Sequence, residues 1–331
     1  MGQNKPAVSI VIPAHGNTPA LGKCLRGVFK SDFTDFECIV VDDGSPDDLG
    51  GLLKPYGVRL VKLAERRGPA FARNRGVEAA SSDVIFFLDS DVEPHKDAVG
   101  KVVAFMREHP DVAAVFGSYD DAPVESGFFS QYRNLFHHYT HQVSREKALT
   151  FWAGCGAVRH DALRKVGGFD EKYTRPCVED IELGYRLNRN GCEVRLDKTI
   201  QAVHHKKWTF EGLVRADIFD RALPWTALLM QHGEMANDLN ITIPARLSAL
   251  LLFAALACLG AGSFWLPGLA CGLALVLLVV LLNRSVYVFY HAKRGLWFAL
   301  RAIPMHLLYV FYSGLAFLAG FVMVRVGRRR I

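Results

Sequence analysis

Five consecutive apolar residues, Val84-Ile85-Phe86-Phe87-Leu88, run straight into Asp89-Ser90-Asp91, and this junction limits the fold more than any other stretch. A strand apolar at successive positions is buried on both faces, as in a parallel sheet covered by helices. Open α/β sheets of that kind bind ligands beyond the carboxyl ends of their strands, where the two aspartates fall. Two carboxylates one residue apart cannot both be desolvated cheaply, because each loses hydration while repelling the other. A divalent cation relieves the conflict. Few, hard oxygen donors with room for water and phosphate oxygens suit Mg²⁺ or Mn²⁺ bridging a nucleotide diphosphate. A D-x-D standing alone reads equally as a solvated acidic turn, so its meaning depends on the rest of the chain.

The residues before and after it alternate between strand and helix periods. Strands are expected over 8–12, 37–41, 59–63, 84–88 and 112–116, and helices over 21–29, 69–80 and 97–108. This is the pattern of βαβ units in a Rossmann-like, mostly parallel α/β sheet. The first strand runs into Pro13-Ala14-His15-Gly16 and the second into Asp42-Asp43-Gly44-Ser45, so both should meet the D-x-D in one crevice. The alternation then breaks. Residues 126–147 are aromatic and histidine-rich, with His137 and His141 at helical i, i+4 spacing. No carboxylate or cysteine completes a metal set there, and the aromatic neighbours favour a substrate groove or a membrane-facing surface.

The last third of the 331 residues obeys different rules. Between 243 and 282 there is no acidic residue, and Arg246 is the only cation, a composition suited to lipid. Spans are expected at about 243–265, 266–282 and 303–326. The basic loop with Arg284, Lys293, Arg294 and Arg301 should face the cytoplasm. A third crossing would then place Arg328-Arg329-Arg330 on the opposite side, against the positive-inside tendency, so two and three crossings both stand. Residues 209–242 form a juxtamembrane segment in which Phe210, Leu213, Val214, Ile218, Phe219 and Leu223 alternate with Arg215, Asp217, Asp220 and Arg221. Such a helix either packs on a core or lies in the headgroup plane. The expected division is thus 1–208 catalytic, 209–242 interfacial and 243–331 membrane.

Residues 1–6 are polar and 7–12 too brief for a signal sequence, so the catalytic part is expected in the cytoplasm, on a multi-pass protein of the inner or plasma membrane. Seven cysteines without C-x-x-C spacing point to reduced thiols rather than a disulfide framework or zinc site. The formal charge of +6 is modest and its cations flank the apolar segments; anionic headgroups explain that better than nucleic acid.

Five segments in order, Val8 to Ala14, Val40-Val41-Asp42-Asp43-Gly44-Ser45, Asp89-Ser90-Asp91, Gly167-Gly168-Phe169-Asp170 and Glu179-Asp180, resemble family 2 glycosyltransferases of the GT-A fold. The resemblance covers about the first 225 residues. It implies a nucleotide-sugar donor, UDP-sugar first, with Pro13, Ala14, His15, Asp42 and Asp43 at the base and ribose. Arg73 is available to the nucleotide or diphosphate, and Asp89 with Ser90 to the ribose or metal-bound water. Asp91 would coordinate the metal, joined by Asp89 and by His204, which resembles the histidine closing the donor site. Relatives carry tyrosine and asparagine where His15 and Gly16 stand. Asp180, with Glu179 beside it, becomes the general base; without the D-x-D the two acids would merely complement a helix dipole. Trp152 and Gly154 resemble the loop beside the acceptor, and Lys207 and Trp208 fall where some relatives line the acceptor groove.

These implications make the chain an inverting, metal-dependent glycosyltransferase acting on a lipid or lipid-linked glycan. A phosphate acceptor is already ionised, so a catalytic Asp180 favours a hydroxyl. A polysaccharide synthase component would need more spans and a full Q-x-x-R-W box. A catalytically silent nucleotide-sugar-binding scaffold is the non-enzymatic alternative.

Overall fold

The computed structural model describes residues 5–16, 18–232, 239 and 241–327. The chain forms two compact units: Met1–Ser130 with His141–Lys207, and Gln131–Thr140 with Trp208–Ile331.

The first unit is built on a nine-stranded sheet. Strands β1 (Val8–Ala14), β2 (Phe36–Asp42), β3 (Arg59–Lys62) and β4 (Val84–Leu88) lie parallel in the order β3-β2-β1-β4. Helices α1 (Thr18–Phe29), α2 (Gly50–Leu53) and α3 (Pro69–Ala79) fall between them in sequence. Residues alternating along β1 and β4 are buried on both sides of the sheet, including Ile10, Val11, Ile12, Ile85, Phe86 and Phe87, all fully inaccessible. That double burial is what the unbroken apolar runs require.

Past β4 the sheet becomes mixed. The D-x-D leads directly into β5 (Val92–Pro94), then α4 (Ala98–Glu108), β6 (Val112–Tyr119), α5 (Phe128–Val143), β7 (Lys147–Ala148), β8 (Cys155–Arg159), α6 (His160–Val166), α7 (Glu179–Arg189) and β9 (Glu193–His204). The order continues β4-β8-β6-β9-β5, with β7 also on β9. β8 runs antiparallel to both β4 and β6, and β5 antiparallel to β9. β6 and β9 remain parallel. The antiparallel strands carry the 152–154 loop and His204 to the D-x-D turn, the function of this half of the sheet.

Helix α7 approaches that loop with bare backbone. A Cβ on Gly184 would overlap the backbone of Thr150 and Phe151, so only glycine permits the spacing.

The second unit contains the middle of α5, then α8 (Phe210–Arg215), a π-helical segment (Ala216–Ala222), α9 (Leu223–His232), α10 (Ile243–Ala261), α11 (Leu266–Leu282) and α12 (Arg284–Arg325). Helices α10 and α12 are long and apolar enough to cross a membrane, whereas α11 has 17 residues. α12 is two helices joined at Gly295, whose φ of 81° breaks the helical path. Arg328-Arg329-Arg330 lie outside the described residues.

The alternation from Phe210 to Leu223 is realised differently from a simple amphipathic helix. Phe210 and Phe219, assigned to the apolar face, are 45% and 46% exposed, while Asp217, assigned to the polar face, is buried. Asp217 accepts hydrogen bonds from Arg133 Nη2 at 2.6 Å, Tyr312 OH at 2.6 Å and Arg221 Nη1 at 3.2 Å. A carboxylate so fully partnered can sit inside at tolerable cost, and the π turn is the local distortion that carries it.

All seven cysteines are free thiols. Replacing Gly184 by alanine is expected to destabilise the first unit by about 1–3 kcal/mol through overpacking; thermal unfolding of the purified chain beside wild type measures it, and an unchanged midpoint would show that the contact is slack.

Candidate active site

The turn after β4 is held from two sides. In the β4–β8 ladder Leu88 pairs with Cys155, and the Asp89 N–H donates to the Gly154 carbonyl at 3.2 Å. In the β5–β9 ladder Val92 pairs with His204, and the His205 N–H donates to the Asp91 carbonyl at 2.9 Å. Asp89 and Asp91 therefore face different partners, with Ser90 between them.

Asp89 belongs to an ion network around Arg73, a residue of α3 that is 3% exposed. Arg73 Nη2 donates to Asp89 Oδ1 at 2.7 Å and Nη1 to Glu179 Oε1 at 2.9 Å. The guanidinium carbon also lies 5.3 Å from the centre of the Phe169 ring. The second Glu179 oxygen accepts from the Cys177 N–H at 2.8 Å. Burial raises the Asp89 carboxyl above its usual range, against the opposing pull of Arg73. Arg73 is thus engaged by two protein carboxylates, which makes it a strut between the D-x-D and α7 rather than a side chain held ready for a diphosphate.

Asp91 meets His204 with 3.6 Å between Oδ2 and Nε2. Burial acts to raise the Asp91 carboxyl, but the neighbouring His204 and Lys206 outweigh it and hold it below the usual range. The His204 ring stacks on Tyr119 at 4.3 Å and 6°, which fixes the imidazole plane. Among the described residues no three His, Cys, Asp or Glu side chains converge as a metal cage. Asp91 and His204 supply one hard oxygen and one imidazole nitrogen, a donor pair that suits Mn²⁺ or Mg²⁺ when water and phosphate oxygens complete the shell. Asp89, in the grip of Arg73, is the weaker third candidate.

Asp180 stands in the first turn of α7. Its Oδ2 accepts from the Ala153 N–H at 3.1 Å and its Oδ1 from the Ile181 N–H at 2.8 Å. Burial and then the charge of Glu179 push its carboxyl up to about 7, with Arg73 and the Ala153 N–H working against them. A carboxyl near neutrality beside a D-x-D is suited to proton transfer. The loop that touches Asp180 through Ala153 is the one that touches Asp89 through Gly154, so one short segment sets Asp180 against the D-x-D.

Trp152 lies edge-on to Tyr119, with ring centres 4.6 Å apart, and 5.3 Å from His141. A Cβ on Gly154 would come within 2.7 Å of the Trp152 indole, so this glycine makes room for the tryptophan itself. His141 is thereby part of the packing around Trp152 and Phe116.

Pro13 and Ala14 end β1 in register with Val41 and Asp42. Asp42 Oδ1 accepts from the Ser45 N–H at 2.8 Å. Asp43 receives the Arg67 N–H at 2.7 Å and the Gly68 N–H at 2.8 Å, one on each oxygen. His15 Nδ1 lies 2.8 Å from the Asp43 carbonyl. The Asp43 carboxylate therefore shapes the loop entering α3.

The two residues expected at the acceptor groove end one unit and begin a stretch of the other. Lys207 is exposed at the end of the first unit. Trp208 is buried in the second unit, where the guanidinium carbons of Arg133 and Arg221 each lie 6.0 Å from its ring centre; those contacts use the indole as packing. Conversely, sequence reasoning passed over Tyr119, Ala153 and the His205–Glu93 pair, whose Nε2–Oε2 distance is 2.7 Å. Tyr119 ends β6, so the strand-end rule could have found it; Ala153 acts through its backbone and leaves no trace in side-chain chemistry.

The chain is similar in sequence and fold to known proteins. The chain is 26% identical over 268 residues to a pre-mycofactocin glycosyltransferase of Mycobacterium tuberculosis, covering 76% of this chain and 53% of that one. It is 26% identical over 238 residues to a validoxylamine A glucosyltransferase of Streptomyces hygroscopicus, covering 61% and 56%. It thus spans about half the length of the curated relatives it matches. A solved mannosyltransferase from Pyrobaculum calidifontis, in complex with GDP-Man and Mn²⁺, shares the fold with a TM-score of 0.57 at 17% identity, over 97% of this chain and 87% of that one. The mixed α/β sheet is of the GT-A type. Residues 9–167 match the family model described as glycosyl transferase family 2, and it is this segment of the chain that carries the likeness to that family.

Proposed function

We propose that the first unit transfers a sugar from a nucleotide-diphosphate sugar to a hydroxyl of a lipid or lipid-linked acceptor, with inversion at the anomeric carbon. The observation that carries this reading is Asp180, raised towards neutrality and tied through residues 153–154 to the D-x-D turn. The carboxylate form of Asp180 accepts the acceptor hydroxyl proton as the oxygen attacks the anomeric carbon. The bond from that carbon to the diphosphate oxygen breaks in the same displacement, which inverts the centre. A Mg²⁺ or Mn²⁺ ion held by Asp91 and His204 would neutralise charge on the departing diphosphate. Trp152 offers part of an aromatic face beside the base, suited to a pyranose ring.

The lipid acceptor rests on the composition of α10 and α12 and on the basic residues Arg284, Lys293, Arg294 and Arg301. These favour a cytoplasmic catalytic unit and an α10–α11 turn on the opposite face of the membrane. The likeness to a pre-mycofactocin glycosyltransferase and to a validoxylamine A glucosyltransferase supports the reaction class rather than one acceptor.

The test is release of nucleoside diphosphate by the purified full chain, given UDP-, GDP- and TDP-sugars, Mn²⁺ or Mg²⁺, and a total lipid extract. Asp180→Asn is expected to lose about 10²–10⁴-fold in turnover while retaining nucleotide binding. No release from any donor, or full activity in the variant, would overturn the assignment.

The rate constant kcat/KM should rise with pH through about 7, because the deprotonated Asp180 is the active form. Glu179→Gln removes a charge that raises the Asp180 carboxyl and should move that limb to lower pH. Arg73→Gln removes a charge that lowers it and should move the limb to higher pH. It should also cost about 3–5 kcal/mol in stability, because buried carboxylates lose their cation. Profiles for the three proteins, with thermal unfolding in parallel, decide this; shifts in the same direction would refute the network's role.

A further inference from the structure

Helices α10 and α11 are joined by the short turn 262–265 and pack closely. On α11, Gly268 and Gly272 stand four residues apart. A Cβ on Gly272 would come within 2.6 Å of Leu259 and 3.0 Å of the Ala255 carbonyl, and one on Gly268 within 3.1 Å of the Cys258 carbonyl. This small-xxx-small spacing lets helix backbones approach where lipid supplies no hydrophobic drive. The approach brings the sulfurs of Cys258 and Cys271 to 3.7 Å across the two helices. Cys258 is half-buried and Cys271 exposed, whereas Cys24, Cys38 and Cys155 are buried in the first unit.

We infer that Cys258 and Cys271 form a disulfide site that staples this hairpin. The two residues lie four before Gly262 and six after Trp265, or roughly 6–9 Å from the turn at the helical rise, so the pair is near one end of the hairpin and within reach of a reagent at the membrane surface. The inference rests on the proposed topology for its oxidant: the turn then lies on the face opposite the cytoplasm, where disulfides persist. The chemistry is thiol–disulfide exchange with a disulfide-bearing oxidant on that face. One thiolate attacks the oxidant disulfide to give a mixed disulfide, and the second displaces it. The Cys258–Cys271 bond forms, the oxidant disulfide becomes a dithiol, and that dithiol carries away both electrons and both protons. The bond would fix α10 and α11 in register, a constraint that glycine packing alone leaves free to slide.

The experiment takes membranes containing the full chain, blocks free thiols with N-ethylmaleimide in denaturant, and digests without reduction for mass spectrometry. A peptide linking Cys258 to Cys271 is expected, and both cysteines should gain maleimide only when reduction precedes blocking. In Cys258→Ser the linked peptide should vanish and Cys271 should be alkylated without reduction. Both wild-type cysteines alkylated before reduction, or a link joining Cys258 to Cys258 of another copy, would overturn the proposal. Alkaline carbonate extraction of the same membranes tests the topology separately: release of a chain that still carries the linked peptide would refute membrane insertion and leave the disulfide site standing.

Discussion

The Arg73 guanidinium, buried between Asp89 and Glu179, is the interaction on which the active-site region depends. It joins three elements distant in sequence: α3, the D-x-D turn and the first turn of α7. Asp89, Glu179 and Asp180 place three carboxyls around one fixed cation, so the cluster keeps a surplus of negative charge. That surplus explains why the Asp180 carboxyl is pushed up, and why Glu179 contributes although its own oxygens are taken by Arg73 and the Cys177 N–H. It also sets an electrostatic condition on the donor. A diphosphate brought to this edge would be repelled at short range in a region of low dielectric unless a cation accompanied it. Asp91 and His204 are placed where such a cation would be met, outside the Arg73 network.

Much of this was legible in the sequence because it follows from strand order. The run 84–88 reads as a doubly buried strand, and the placement of Asp89 and Asp91 at its carboxyl end follows directly. The parallel β3-β2-β1-β4 half was readable for the same reason: helix and strand periods alternate in the sequence there. The mixed half was not readable, because β8 enters between β4 and β6 from 67 residues beyond Leu88, the difference between Leu88 and Cys155, and no local period encodes that pairing. Roles were less legible than positions. Arg73 was placed near the diphosphate, yet its partners come from Asp89 and Glu179, the latter 106 residues away. Asp43 reads as a ligand-binding acid at a strand end, yet both of its oxygens cap the backbone at Arg67 and Gly68. A side chain's identity says what it can bind, and only the fold says which partner reaches it first.

The second unit shows the same physics with a different outcome. Helical periodicity sends Asp217 to the polar face and Phe219 to a face that packs on a core or meets the headgroups; the structure buries Asp217 and leaves Phe219 46% exposed, which removes the core-packed reading for that residue. Periodicity counts residues per turn on an ideal helix, and the π-helical segment Ala216–Ala222 changes that count. Within that segment Asp217 is buried with Arg133, Arg221 and Tyr312 donating to it, and these partners offset the cost of taking the carboxylate out of water.

The two networks differ in a way that separates a site from a strut. Around Asp217 one carboxylate meets two guanidiniums and a hydroxyl; burial raises it above the usual range, and Arg133 and Tyr312 pull against that. Around Arg73 one guanidinium serves Asp89 and Glu179, and Asp180 is left with two backbone N–H donors. Backbone donors hold a carboxylate in place but carry no full charge to offset its burial. The first arrangement sets cations in excess of the buried acid; the second sets acids in excess of the buried cation. An excess of acids over fixed cations, held in place by backbone donors, is therefore the feature that distinguishes the first turn of α7 from the π turn, and it is the feature on which the proposed proton transfer at Asp180 depends.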